Sequence, residues 1–352
     1  MTQSQAGLAP TLRTESHMST VARRPRAIRA WAVAAALLLA IAWPLASPNA
    51  FYVNIGILVV LGAIGAVTLN LIIRTGHVSL AHGAFMGVAA YTCVLLQTRA
   101  GVPFLAAMAI GCLASGALAL VIGPIILRLT GKYFVLVTFL LGEIVRLVFL
   151  EWQSVTGGAN GIDQIPAGLD LFKSPVGFYY FCLAVSVLCI GIVWRILCSD
   201  LGRAIDAIRE ADRVAESSGV PVIRIKVMVF VIACMLVGLQ GALQAQMVHA
   251  IEPASFNMDV SLGMVVMNVL GGMYYLAGPL LGAVFMVALP ELLRGYVELQ
   301  QIIFGIILIV VMAALPGGMI GAWKLARGAL ARVIRRDRPG PGAPGGDGRA
   351  RR

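Results

Sequence analysis

The chain has 352 residues, 59% hydrophobic and 12% charged, with 27 Lys and Arg against 16 Asp and Glu for a net charge of +11. Soluble domains carry roughly 45–50% apolar and about 25% charged residues, so this composition excludes a soluble domain large enough to hold a catalytic core of its own. The basic residues gather at tails and helix ends, which points to membrane topology rather than to nucleic acid.

The apolar weight falls in continuous blocks of roughly 18–25 residues, the length that crosses a hydrocarbon core about 30 Å thick. In lipid the backbone must satisfy its own polar groups, and continuous rather than alternating blocks select helices over a barrel. Residues 1–27 read as a polar cytoplasmic tail in which Met18 opens a shorter version of the same frame. Arg23, Arg24, Arg26 and Arg29 flank an apolar run near 28–46. That run is longer than the core of a signal peptide, so it reads as an uncleaved first helix. Further spans are expected near 51–73, 77–98, 102–127, 132–150, 176–198, 223–247, 259–275, 277–294 and 299–317, about ten transmembrane helices within a 28–321 permease-sized domain. Glycines interrupt 70–98 and 259–294, and helix breaks are expected there. An even number of spans puts both termini on one side. A cytoplasmic N-terminus leaves only Arg99, Arg146, Lys173 and Arg294 toward the outer half, so both ends are assigned to the cytoplasm. The tail 322–352, rich in Arg, Pro and Gly, reads as disordered, cytoplasmic and attracted to anionic lipid, with no nucleic-acid role.

Two hydrophilic segments stand out. The outer one, 151–175, contains Thr156-Gly157-Gly158-Ala159-Asn160-Gly161, suited to tight turns. In the inner one, 199–222, Ala204, Ile205, Ala207, Ile208 and Ala211 form an apolar stripe at helical spacing. Asp206, Arg209, Glu210, Asp212 and Arg213 take the other side, so the helix needs a surface to lie on, either lipid headgroups or a protein partner.

Polar groups within spans require a reason. Glu143 and Arg146 are three apart and can pair. Gln240 and Gln244 share a helix face and either line a path for a zwitterionic or amide solute or bridge helices. His77, Ser79 and His82 are expected at a helix start near the inner surface, in a capping or gating role, with His77 and Ser79 also candidates for the substrate pathway; the five-residue separation of His77 and His82 is a poor spacing for a helical metal site. Gly83-x-x-x-Gly87, Gly278-x-x-x-Gly282 and Gly317-x-x-x-Gly321 favour close helix packing. Gly76-x-x-x-Leu80-Ala81 before Gly83 is echoed by Gly272-x-x-x-Leu276-Ala277 before Gly278, the pattern either of an internal repeat with broken helices or of coincidence in a Gly-rich chain. None of the six cysteines forms a C-x-x-C pair, and they read as small buried hydrophobes. No phosphate-binding loop, H-E-x-x-H or G-x-S-x-G occurs, so no ATP or metal cofactor is expected in this chain, and any ATP and Mg must be bound by another.

An ordered series of motifs resembles the permease subunit of branched-chain amino-acid ABC importers, the LivM type. It comprises Gly76-His77-Val78-Ser79-Leu80-Ala81-His82-Gly83-Ala84-Phe85, Gly131-Lys132-Tyr133-Phe134, Gly142-Glu143-Ile144-Val145-Arg146-Leu147, the 156–161 run, Gly202-Arg203-Ala204, Ala207-Ile208-Arg209-Glu210, Gly219, Val269-Leu270-Gly271-Gly272, Gly278-Pro279-Leu280-Leu281-Gly282 and Leu289-Pro290-Glu291-Leu292-Leu293-Arg294-Gly295. His77 and Ala81 stand where the family's signature has Gln and Gly, and Tyr274-Tyr275 interrupts a stretch usually rich in small residues. The resemblance implies a type II ABC importer in the bacterial inner membrane. Its parts would be this permease, a LivH-like second permease, two cytoplasmic ATPase subunits and a periplasmic solute-binding protein. It also implies that 199–222 is the ATPase-coupling loop, through Gly202, Arg203, Arg209, Glu210, Ala211 and Gly219. Urea or short amides are the alternative solutes within the family. A proton-coupled secondary transporter using Glu143 or a histidine is the rival from another class, and an intramembrane enzyme lacks paired catalytic residues.

Overall fold

The computed structural model describes residues 26–46, 49–293, 300–314 and 317–321; the expectations for residues 1–25, for Arg294 and for the tail 322–352 lie outside them. Contacts divide the chain after Ala42. Helix α1 (Arg26–Ala46) spans that division and carries Pro44 near its end.

The remaining helices follow in order: α2 (Ala50–Ile73), α3 (His82–Ala100), α4 (Phe104–Ile126), α5 (Lys132–Glu151), the single turn α6 (Gln153–Thr156), α7 (Pro175–Leu197), α8 (Asp200–Glu210), α9 (Asp212–Ser217), α10 (Val222–Val248), α11 (Met258–Gly271), α12 (Ala277–Leu292) and α13 (Gln300–Ala314). Among the described residues there is no strand, only a single antiparallel bridge between Ile162 and Ile251. Among the described residues six segments are long and apolar enough to cross a membrane: Ala50–Ile73, Phe104–Ile126, Lys132–Glu151, Pro175–Leu197, Val222–Val248 and Pro253–Gly271. Ala34–Ala46, Ala277–Glu291 and Ile302–Val311 are shorter apolar helices. The chain is therefore an all-helical, multi-pass membrane protein.

Two predicted boundaries move. The span expected from 77 begins as helix only at His82, and the one expected to reach 275 ends at Gly271. Glycine is the cause at both places: Gly76 has φ +84° and Gly272 φ +115°, conformations that a residue with a Cβ rarely adopts.

Helix α2 is apolar on every side, and its residues are buried without interruption from Val60 to Ile73, as an all-round hydrophobic helix requires. It packs against α7, α10, α11 and α12. Helices α3, α4 and α10 form a second group in which glycines let backbones touch. A Cβ at Gly111 would run into the carbonyl of Ala89, and one at Gly241 into that of Met86. The predicted small-residue pairs act in the same way. Gly83 and Gly87 abut Phe256 and its neighbours, while Gly278 and Gly282 press α12 onto the backbone of α11. By contrast α5 buries only Phe134, Thr138 and Phe149.

The two hydrophilic segments lie at opposite ends of α10. At its C-terminal end Ile162 and Ile251 exchange backbone hydrogen bonds of 2.8 and 2.9 Å. Nearby, Arg99 Nη2 donates at 2.8 Å to the carbonyls of both Ser154 and Val155. Gly157, Gly158 and Gly161 all have positive φ, so the glycine run makes the tight turns its sequence suggests. At the other end α8 and α9 sit beside the start of α10.

Candidate functional site

The 199–222 segment folds as two short helices separated by Ala211, whose backbone is extended. Asp200 in the first turn of α8 and Arg209 in its last complement the helix dipole. Ile205 and Ile208 are fully buried against the bundle, and Gly202 is buried because a Cβ there would strike the Leu197 backbone. The apolar stripe is narrower than its spacing suggests, since Ala207 and Ala211 are exposed. Alanine supplies too little apolar surface to force a face inward, and Ile decides the seating. Arg203, Asp206 and Glu210 point outward; Arg203 pairs with Asp200, and Arg209 Nη2 lies 3.8 Å from Asp206 Oδ1. Gly219, with φ +85° and open space around it, turns the chain toward α10.

The segment is anchored by an ion pair whose ammonium is buried and whose carboxylate is partly exposed. Lys226 Nζ, on the first turns of α10, donates to Asp212 Oδ2 at 2.6 Å, with the Lys226 side chain only 3% exposed. A buried ammonium needs such a partner. Between α8, the α2–α3 turn and the α4–α5 turn lies a cleft of about 260 Å³, lined by Gly76, His77, Gly131, Arg209, Glu210 and Asp212 among others.

His77 and Ser79 precede α3 rather than starting it. His77 is buried, edge-on to the Phe134 ring at 4.7 Å, with Nδ1 3.0 Å from the Thr75 carbonyl. Ser79 Oγ accepts from the Ala81 amide at 3.3 Å, and Thr138 Oγ1 accepts from the Leu80 amide at 3.2 Å. These contacts satisfy the backbone of a broken helix inside protein, where water cannot. His82 is fully buried.

Arg146 Nε lies 2.8 Å from Glu143 Oε2 on α5, each side chain 29% exposed among the described residues. Gln240 is buried, its Oε1 beside Gly65, whereas Gln244 is half-buried. The 203–219 set is thus gathered at one end; Gln240 lies within the bundle, and Glu143 and Arg146 lie on its outer face.

Two asparagines carry a junction that sequence reasoning passed over. Asn70 Nδ2 donates to Asn268 Oδ1 at 2.9 Å and to the Met273 carbonyl at 2.7 Å. Asn268 Nδ2 donates to the carbonyls of Ala66 (2.9 Å) and Met264 (2.8 Å). Their presence inside apolar runs was the signal that could have found them, by the same rule that singled out Glu143. Among the described residues no three His, Cys, Asp or Glu side chains gather as a metal site. On the loop at the opposite end, the hydrogen bond from Lys173 holds the Asp170 carboxyl below its ordinary range.

Residues 49–312 match the family profile described as "Branched-chain amino acid transport system / permease component". The chain is 31% identical over 313 residues to the high-affinity branched-chain amino acid transport system permease protein LivM of Salmonella typhimurium, covering 81% of this chain and 73% of that one. The corresponding protein of Escherichia coli matches at the same identity and coverage. No solved structure matches.

Proposed function

The chain belongs to the branched-chain amino acid transport system permease family, and from that premise we propose that it carries branched-chain amino acids inward across the bacterial inner membrane. On this reading it is one permease subunit of an ATP-driven importer. It crosses the bilayer about ten times with both termini in the cytoplasm, and works with a LivH-like second permease, two ATPases that hold ATP and Mg, and a periplasmic binding protein.

The observation that carries the reading is the family match over 49–312 together with α8. This helix is seated by Ile205 and Ile208 and presents Arg203, Asp206 and Glu210 outward from the end where α10 begins. A charged helix facing water at the end of an apolar bundle is the surface through which an ATPase can push. The 151–175 loop, at the opposite end, is the side for a binding protein to dock. Glu143 and Arg146 support a second permease. A charged pair half open on a spanning helix costs several kcal/mol in lipid, and a neighbouring subunit or a water-filled path between subunits removes that cost.

The reading is tested with vesicles from cells expressing the chain with its candidate partners. Labelled leucine should accumulate only with ATP on the ATPase side and binding protein on the other, and a protonophore should leave the rate unchanged. Uptake that collapses with the protonophore while ATP is held constant would overturn the reading in favour of a proton-coupled carrier.

A further inference from the structure

Tyr274 lies in the break between α11 and α12, and its ring is 58% exposed, so core packing does not account for it. Three elements meet there. From α8, the Arg209 guanidinium sits over the ring, 5.0 Å from its centroid. From the end of α2, Arg74 Nη2 donates to the Tyr274 carbonyl at 2.8 Å, and Arg74 Nε donates to Asn70 Oδ1 at 3.0 Å. Asn70 in turn holds the Met273 carbonyl and Asn268.

We propose that Tyr274 is the positioning residue through which α8 drives the break between α11 and α12 and, by way of Arg74, the end of α2. Gly272 at φ +115° leaves 272–276 outside the two helices, held by turn bonds from the Tyr275 amide to the Gly272 carbonyl at 3.2 Å and from the Gly278 amide to the Tyr275 carbonyl at 2.9 Å, a compact unit placed between α11 and α12. A cation resting on an aromatic face grips without a fixed hydrogen-bond angle and holds through a rotation. A shift of α8 therefore reaches the Asn70–Asn268 junction by a continuous set of contacts. The proposal rests on the reading of 199–222 as the ATPase-coupling loop.

The test uses the complete importer, reconstituted with its ATPases and binding protein. Tyr274→Ala and Tyr274→Leu should lower solute moved per ATP hydrolysed roughly two- to fivefold, the range an exposed cation–π contact supports, while ATP hydrolysis itself continues. Tyr274→Phe keeps the ring and should match the wild type. An unchanged ratio in the Ala and Leu variants, or a Phe variant that falls with them, overturns the proposal. A second arm separates the two readings. Arg203→Cys, in a Cys198→Ser background and alkylated with a maleimide-linked benzophenone, should cross-link to an ATPase subunit on illumination, the excited ketone inserting into a C–H bond of the partner. Without cross-linking the coupling loop falls and the Tyr274 assignment falls with it; cross-linking with an unchanged ratio in Tyr274→Ala removes the Tyr274 assignment alone.

Discussion

Between α2 and α3 the chain turns inside protein, with His77 4% exposed and Ser79 and Ala81 completely enclosed, whereas between α11 and α12 the equivalent turn carries Tyr274 at 58% exposure. Both turns follow a glycine of positive φ, and both lead through Leu-Ala toward a G-x-x-x-G helix. Both breaks begin at a glycine, at φ +84° in the first and +115° in the second. What differs is the company each keeps: the first is walled in by Phe134 and Thr138, the second lies under Arg209. One sequence signature therefore builds a fixed joint in one place and an accessible one in the other, and the surroundings decide which.

The contrast can be broken most severely at Gly271. A Cβ there would meet the backbone of Gly278, which cannot move aside as a side chain could. Gly271→Val should cost about 3 kcal/mol by overpacking, or prevent accumulation of the protein. Gly76→Ala has open space and only the strain of φ +84° to bear, about 1–2 kcal/mol. Thermal unfolding of the detergent-solubilised chain measures both, and equal losses would erase the distinction between the joints. Next in size, Asn268→Leu severs the link between the two joints and should cost about 1–2 kcal/mol, since interhelical hydrogen bonds in membranes are modest. A loss below measurement error would show that the joints are independent. The smallest effect is expected at the exposed Arg203–Asp200 pair, where Arg203→Ala should change stability by less than about 0.5 kcal/mol.

The helical character of the apolar blocks and the interruption after Gly272 were legible in the sequence, because block length and glycine position are local properties. The two stretches of similar sequence both interrupt helices, but with different local backbones: Ala81 precedes α3 at φ −88° and ψ 1°, and Leu276 precedes α12 at φ −60° and ψ −31°. The start of α3 at His82 was not legible: His77 and Ser79 suit a helix entrance, and beside the turn at Gly76 the contacts of Phe134 and Thr138 hold 77–81 outside the helix. The width of the α8 face was overread because Ala207 and Ala211 count as apolar in a pattern yet contribute little when buried. The Asn70–Asn268 contact spans 198 residues of sequence, and nothing in either neighbourhood names its partner. Gln240 was placed correctly on the face of Gln244, but its burial against Gly65 depends on how α2 and α10 approach each other.

Helix α2 is enclosed from Val60 to Ile73. Along that length α2 is surrounded by the other described helices, so it serves as the mast around which they are rigged, and a polar substitution there would have to find its partner inside the bundle.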